Sequence, residues 1–283
     1  MLSIFTAAIH ELHLQSRSTF GPIVFQQYLK DNNLPKADTA QKISVDSYEQ
    51  LDSELKKNDI MVFRLGSSVN GKETQFALAK APGYLNDFFL IDNQVHVTKP
   101  STYLPRASFR QLYPYQLIAT QAETSLVNLA FASGAISYAL GLDDEEPITP
   151  ATGSSIFTFS FKPHSSLDAI FDHHKGQVQV DALFIGKRNN QEHIFVLEAK
   201  VSQTLKSLSK HKLVYPLLAL ASKVPVDIPI IPIYMKAAIE GDNVIYHITE
   251  CEFPDPRARM CAINELRPNK HSALILPSFT VNK

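Results

Sequence analysis

Two carboxylates and one ammonium group follow two short strand-like segments in the second half of the chain. Asp181 comes directly after segment 177–180. Glu198 and Lys200 come directly after the apolar segment 194–197. Side chains alternate along a strand, so Glu198 and Lys200 project from the same face. A register that sets Asp181 beside Glu198 would bring these three charges together.

Burying two like charges is costly unless a cation joins them, and oxygen ligands suit Mg²⁺ or Mn²⁺. The pattern predicts metal-assisted hydrolysis of a phosphodiester, with Lys200 orienting or deprotonating a water or offsetting charge on a phosphate.

The link between the two segments favours a hairpin. Residues 186–191 are polar and turn-prone. An ordinary hairpin with its acids in solvent is the alternative, and it predicts polar residues alternating through the second strand. Segment 194–197 is instead continuously apolar, as in a strand buried on both faces. Gln179 shares a strand face with Asp181, so we include it among the candidate catalytic residues.

These residues resemble the PD-(D/E)xK nuclease superfamily, the core shared by many type II restriction endonucleases. Asp181 matches the first acidic position, and Glu198 with Lys200 matches the ExK half. The resemblance covers roughly residues 123–253. It implies a Mg²⁺ ion (Mn²⁺ as a substitute) held by Asp181, Glu198 and the backbone carbonyl of Ala199.

The resemblance also points to residues on two helices. In many members a glutamate from the helix before the core approaches the metal, and Glu123 holds that place. A first-turn acid that stabilises the helix dipole is the alternative. His211 and Tyr215 share one face of the predicted helix 206–220, where some members carry Gln-xxx-Tyr facing the active site and DNA. This chain departs from them by having His, and a core role is the alternative. Lys210 would contact phosphate or lie on a solvated face.

The length of 283 residues and the hydrophobic content of 45% allow two domains. Residues 1–105 show helices followed by a hairpin with an Asn70-Gly71 turn. They are predicted to form an α+β domain, similar to a winged helix, that recognises DNA. Small α+β domains of unrelated function are the alternative. Residues 106–283 are predicted to form an α/β nuclease-like domain, a restriction-endonuclease-like mixed sheet flanked by helices.

The predicted elements of the two regions can be given as ranges. In the first region we expect helices at 23–29 and 46–57 and strands at 60–65, 74–79, 88–91 and 95–97. In the second we expect helices at 123–140 and 206–220, and strands at 156–161, 177–181, 194–200, 228–235 and 243–249. The segment 164–174, rich in His and Asp, is predicted to be a loop.

A linker at 99–116 joins the two regions and mixes basic with aromatic residues. Arg106 and Arg110 in it could follow a phosphate backbone. An ordered linker on the surface explains the same residues.

Composition narrows the class of protein. Two cysteines give no disulfide framework or zinc spacing, which indicates a reducing cytosol. Neither a signal sequence nor an apolar run near the roughly 20 residues of a membrane helix is present, so we expect a soluble cytoplasmic protein with no membrane partner. The net charge of −1 leaves room for a local basic cleft.

The function predicted is a Mg²⁺-dependent endonuclease, most specifically a type II restriction enzyme acting on double-stranded DNA. Cutting both strands favours a homodimer, and a cognate DNA methyltransferase would act on the same site. Two alternatives stay open: another nuclease of this core, in repair or phage defence, and a catalytically silent DNA-binding or assembly protein. The intact set of Asp181, Glu198 and Lys200 argues against the silent alternative.

Overall fold

The computed structural model describes residues 3–68, 71, 73–105, 109–117, 122–143, 148–202 and 206–277. The first part of the chain forms α1 (Thr6–Leu14), β1 (Thr19–Val24), α2 (Phe25–Asp31), α3 (Thr39–Ile43), α4 (Ser53–Lys57), β2 (Ile60–Ser67), β3 (Thr74–Lys80), β4 (Phe89–Ile91), α5 (Asp92–Val95) and β5 (Ser101–Thr102). The second forms α6 (Phe109–Leu117), α7 (Glu123–Ala132), α8 (Ala135–Leu140), β6 (Ala151–Phe161), β7 (Phe171–Arg188), β8 (Gln191–Val201), β9 (Ser207–Ser209), α9 (His211–Ala221), β10 (Ile230–Glu240), β11 (Asn243–Glu252) and β12 (Arg267–Leu276). Short 3₁₀ turns occur at Tyr48–Gln50, Leu85–Phe88 and Ile263–Glu265.

A mixed ten-stranded sheet is the centre of the molecule. Its order is β1-β3-β2-β7-β8-β10-β11-β12-β5, and β6 pairs with β7 outside this path. The β8–β10 and β12–β5 pairs are parallel, while β7–β8, β10–β11 and β11–β12 are antiparallel. Strands β4 and β9 form a separate antiparallel pair. The predicted class, a mixed α/β sheet flanked by helices, is therefore confirmed. Among the described residues, no helix is long and apolar enough to cross a membrane.

The hairpin between β7 and β8 follows from its turn residues. Asn189 and Asn190 both have positive φ, at 53° and 64°, the conformation that a tight two-residue turn demands and that Asn tolerates. The pair Arg188↔Gln191 closes the turn. Turn chemistry thus fixes the register of β7 on β8.

Two hydrophobic clusters lie on the two faces of the sheet. The first cluster contains the N-terminal elements, α9 and the ring of Tyr234 on β10. The second contains α7, α8 and the alternate residues Leu197 and Ala199 of β8. Glu198 and Lys200 therefore lie on the face that α9 covers.

The first part of the chain shares the first cluster with the second part. The Phe63 ring on β2 lies 5.6 Å from that of Phe161 and 5.9 Å from that of Phe171. Where β2 meets β7, a Cβ on Gly66 would lie only 2.4 Å from the His174 carbonyl oxygen. Because Gly66 also has a φ of +80°, only glycine fits this junction. The boundary at 105 and the likeness of the first part to a winged helix stay predictions.

Several predicted elements need correction. The strand predicted at 95–97 is wrong, because Asp92–Val95 form a helical turn. The helix predicted at 123–140 breaks at Gly134, which has a φ of 78°. The helix predicted from 206 begins at His211, since Ser207–Ser209 pair with β4 instead. The loop predicted at 164–174 ends early, because β7 begins at Phe171.

Candidate active site

The β7–β8 register brings the predicted acidic residues side by side. Ala182 pairs with Leu197, so the next position along each strand sets Asp181 opposite Glu198 on the α9 face. Asp181 Oδ2 accepts a hydrogen bond of 2.9 Å from the Ala199 backbone N–H. The second carboxylate oxygen of Asp181, Oδ1, accepts one of 3.2 Å from Gln179.

Lys200 lies between two carboxylates. Its Nζ is 2.9 Å from Glu198 Oε1 and 3.7 Å from Glu123 Oε2. Glu123 is the first residue of α7, which packs against β8 and so carries the carboxylate to this end of the sheet. We call Glu123, Asp181, Glu198 and Lys200 the carboxylate cluster.

The cluster holds more negative than positive charge, and burial makes that charge costly. Burial raises the pKa of Glu198 to about 7, with Lys200 opposing the shift and Asp181 adding to it. Burial also raises the pKa of Glu123. For Lys200, burial opposes the ammonium form, but the carboxylates of Glu198 and Glu123 outweigh it and raise its pKa. Three carboxylates around one ammonium therefore favour a further cation.

A cleft of about 470 Å³ opens onto the cluster. Besides the cluster it is lined by side chains from α9, β7 and the N-terminal part of the chain. Arg64 on β2 donates to Ser44 Oγ over 3.2 Å. Lys212 on α9 lies 2.5 Å from Asp46. The wall of the cleft therefore presents the Arg64 guanidinium and a Lys212–Asp46 ion pair beside an acidic floor, and a guanidinium in this place could contact a phosphate.

Sequence reasoning missed Arg64 and Asp46 as residues of this cleft. A signal for Arg64 does exist, because it is the single charged residue in the otherwise buried strand from Ile60 to Leu65. A charged side chain in such a strand usually faces a partner or a ligand.

The predicted α9 residues line the cleft but are largely covered. Tyr215 is 8% exposed and donates from its hydroxyl to the Arg64 carbonyl over 3.2 Å. His211 is buried, and desolvation lowers its pKa to about 3, so it is neutral. The Tyr215 ring lies 5.3 Å from that of His211 and 5.1 Å from that of His173. They form a wall of the cleft, and their contact with DNA stays a prediction.

The remaining predicted DNA-contacting residues lie elsewhere. Lys210 is buried and donates to the Asn264 carbonyl over 3.3 Å, and burial lowers its pKa to about 8. It is not among the described residues that line the cleft. Arg110 is exposed on α6, also outside that lining. Arg106 lies outside the described residues.

The donor set fits a hard divalent cation. Asp181 and Glu198 offer carboxylate oxygens on one face, and Glu123 offers a third. In a strand the N–H and C=O of one residue point to the same side, so the Ala199 carbonyl faces the strand that carries Asp181. Oxygen-only sets of this kind suit Mg²⁺ and Mn²⁺.

A family model described as a domain of unknown function (DUF6997) matches residues 79–271, more than half of the chain. The chain belongs to the DUF6997 family. No curated protein and no solved structure matched the chain. The DUF6997 segment contains the whole carboxylate cluster, whereas Arg64 and Asp46 precede it. The acidic floor of the cleft thus belongs to the family domain, and part of its wall comes from outside the matched segment.

Proposed function

We propose that the chain is a Mg²⁺-dependent endodeoxyribonuclease of the PD-(D/E)xK kind, with Mn²⁺ as a substitute metal. The observation that supports this most is the meeting of Asp181, Glu198 and Glu123 around Lys200 at the floor of a cleft whose wall carries Arg64. Strand spacing predicts Asp181, Glu198 and Lys200, the family resemblance predicts Glu123, and the four come from three separate elements. An arrangement of this kind suits hydrolysis of a phosphodiester bond.

Each residue has a role that its contacts support. Asp181, Glu198 and the Ala199 carbonyl would hold the metal. The ion, when bound, would polarise the scissile phosphate and lower the pKa of a water. Gln179 keeps the Asp181 carboxylate oriented through its 3.2 Å hydrogen bond.

Lys200 and Glu123 would act on the water and the phosphate. The Lys200 ammonium is held by Glu198, so it is placed to offset charge that builds on the phosphate. Glu123 has a raised pKa, so it accepts a proton more readily than an ordinary glutamate. We assign Glu123 to receiving the proton of the attacking water.

We infer further that the substrate is double-stranded DNA and that the chain is a type II restriction enzyme. A homodimer would then cut both strands of a palindromic site, with a cognate methyltransferase protecting the same site. A repair or phage-defence nuclease and a silent DNA-binding protein are the other outcomes of the test below.

The test is incubation of the purified chain with mixed plasmid and genomic DNA and Mg²⁺. Discrete bands support the restriction enzyme, and a smear supports a nuclease without site preference. We expect Asp181→Ala, Glu198→Ala and Lys200→Ala each to lower the cleavage rate by at least ~100-fold. Glu192→Ala, an exposed acid on the same strand, is the matched control and should cut at the wild-type rate. Intact DNA with all proteins, or wild-type cleavage by Asp181→Ala, would contradict the proposal.

A further inference from the structure

Three histidines from distant parts of the sequence meet beside the carboxylate cluster. His96 follows α5, His247 lies on β11 and His271 lies on β12. One nitrogen of each lies within 4.8 Å of a nitrogen of the other two. We call them the histidine cluster. Lys236 on β10 is the register partner of both Lys200 and His247, so the two clusters lie on the same face of the sheet.

The spacing of the rings matches imidazoles around one ion. Ring centres are 4.9 Å apart for His96 and His247, 5.1 Å for His96 and His271, and 5.4 Å for His247 and His271. His247 Nδ1 and His271 Nε2 are 3.3 Å apart. On a tetrahedral ion with metal–nitrogen bonds of about 2.0–2.1 Å, ligand nitrogens lie about 3.3 Å apart and ring centres about 5 Å apart.

The Asp92 carboxylate lies close to the His96 ring. His96 Nε2 is 3.7 Å from Asp92 Oδ1, and His96 Nδ1 is 3.4 Å from Thr249 Oγ1 on β11. The separation from Asp92 is longer than a hydrogen bond, and His96 Nε2 is buried with no hydrogen-bond partner among the described residues, so this ring has a nitrogen open to an ion. Asp92 is itself held by Lys236, 2.7 Å away.

Both ring nitrogens of His271 have hydrogen-bond partners, which fix its tautomer. The Thr98 N–H donates to His271 Nδ1 over 3.1 Å, which places the His271 proton on Nε2, towards His247. An ion would take the place of that proton, which would move to Nδ1. The Thr98 N–H would then face solvent, which is open to it because Thr98 is exposed.

We propose that the histidine cluster binds one divalent transition-metal ion, best matched by Zn²⁺, through His96, His247 and His271. Imidazole ligands favour Zn²⁺ and related ions over Mg²⁺, which prefers oxygen. His247 and His271 are partly exposed, so a water can complete the coordination. The ion would fasten the 92–98 segment to β11 and β12, whether or not the chain is a nuclease.

The experiment uses the full chain without a histidine tag, freed of metal by chelation. Zn²⁺ is titrated by calorimetry in excess Mg²⁺, and Co²⁺ is followed by its visible d–d absorption, which reports tetrahedral coordination. The variants are His247→Ala and His271→Ala. Two controls isolate the site: His193→Ala removes a histidine outside the cluster, and Asp181→Asn weakens metal binding at the carboxylate cluster. Circular dichroism and gel filtration check that each protein is folded.

We expect one Zn²⁺ per chain, a tetrahedral Co²⁺ spectrum and a higher melting temperature with Zn²⁺ for the wild type and both controls. His247→Ala and His271→Ala should bind Zn²⁺ at least ~100-fold more weakly, beyond the ~10–100-fold cost of losing an outer partner. If one of these two variants does not fold, the other still tests the proposal. Absence of stoichiometric Zn²⁺ binding by the wild type, or unchanged affinity in a folded cluster variant, would overturn the proposal.

Discussion

Lys200 and Lys236 are neighbours in the parallel β8–β10 pair, yet their surroundings differ. Lys200 lies 2.9 Å from Glu198, and its side chain is 27% exposed at the floor of the cleft. Lys236 lies 2.7 Å from Asp92, and the two side chains are only 3% and 1% exposed. A lysine–carboxylate ion pair therefore occurs once in an open cleft and once in the closed interior.

The difference lies in the balance of charge. Asp92 accepts from Lys236, from the Tyr234 hydroxyl over 2.9 Å and from the Lys206 N–H over 2.8 Å. This carboxylate is thus fully engaged by protein donors. The cluster around Lys200 has three carboxylates for one ammonium and a cleft beside them. Unbalanced charge in an accessible space, rather than the ion pair itself, distinguishes a candidate site from a structural one.

The largest effect on stability is expected from the closed pair. Asp92→Ala removes a carboxylate from a buried ammonium and should lower the free energy of unfolding by about 3–5 kcal/mol. Urea denaturation measures this. Glu198→Ala, the matched change in the open pair, should lower it far less, because the Lys200 ammonium that remains is partly solvated and keeps Glu123 nearby. If both variants lose similar stability, the distinction between the two pairs fails.

Substitutions of Tyr215 test whether the wall of the cleft contributes to stability, as the closed Lys236–Asp92 pair does, or to activity, as the open site does. Tyr215→Ala should lower the free energy of unfolding by about 3 kcal/mol or more, as other large aromatic truncations do. Tyr215→Phe removes only the hydrogen bond to the Arg64 carbonyl and should cost about 1 kcal/mol. Melting temperature and cleavage rate are measured together. A large loss of cleavage in a stable Tyr215→Phe protein would instead place the hydroxyl against DNA.

Arg64 should matter for binding rather than folding. If it contacts a phosphate, Arg64→Ala should weaken DNA affinity about tenfold and reduce the slope of log affinity against log salt by about one. Fluorescence anisotropy with Ca²⁺, which should support binding without turnover, measures this at several salt concentrations. Lys30→Ala, an exposed cation on α2, is the control and should change neither value. If Arg64→Ala and the wild type have equal salt slopes, Arg64 does not contact a DNA phosphate.

The smallest effects are expected with pH. The pKa of about 7 for Glu198 means that protons compete with the metal, so Mg²⁺ affinity should fall about tenfold per pH unit below 7. Calorimetry between pH 6 and 8 tests this.

The same pKa affects folding without metal. A raised pKa contributes stability that is full below the unfolded value of 4.5 and is lost as pH rises through about 7. The wild type should therefore lose more stability over this window than Glu198→Gln does. Parallel stability curves for the two proteins would show that Glu198 titrates normally.

The core of the site could be predicted because it depends on local rules. Strand alternation and a hairpin register predict Asp181 beside Glu198, whereas Glu123 is expected at the site only from the family resemblance. Arg64 could not be placed, because it reaches the cleft only through the packing of β2 against β7, far away in sequence. The histidine cluster was missed for the same reason, since its members come from three separate elements.

The errors in the predicted secondary structure also have physical causes. Strand β12 was not predicted, because its first half, Arg267–Lys270, is polar and exposed. The break at Gly134 was missed, because the apolar pattern continues through it into α8. The predicted start of α9 was too early, because pairing between β4 and β9 overrides local helix propensity.

The register of β7 has a consequence for how sequences of this family can change in length. Because the turn fixes the pairing of β7 with β8, a single residue inserted between Asp181 and Arg188 would shift Asp181 by one position and carry it to the face opposite Glu198. Insertions at Asn189–Asn190 would lengthen only an exposed turn. In related chains, therefore, the strand lengths from the aspartate to the turn and from the turn to the ExK residues should stay matched, while the turn itself should vary in length.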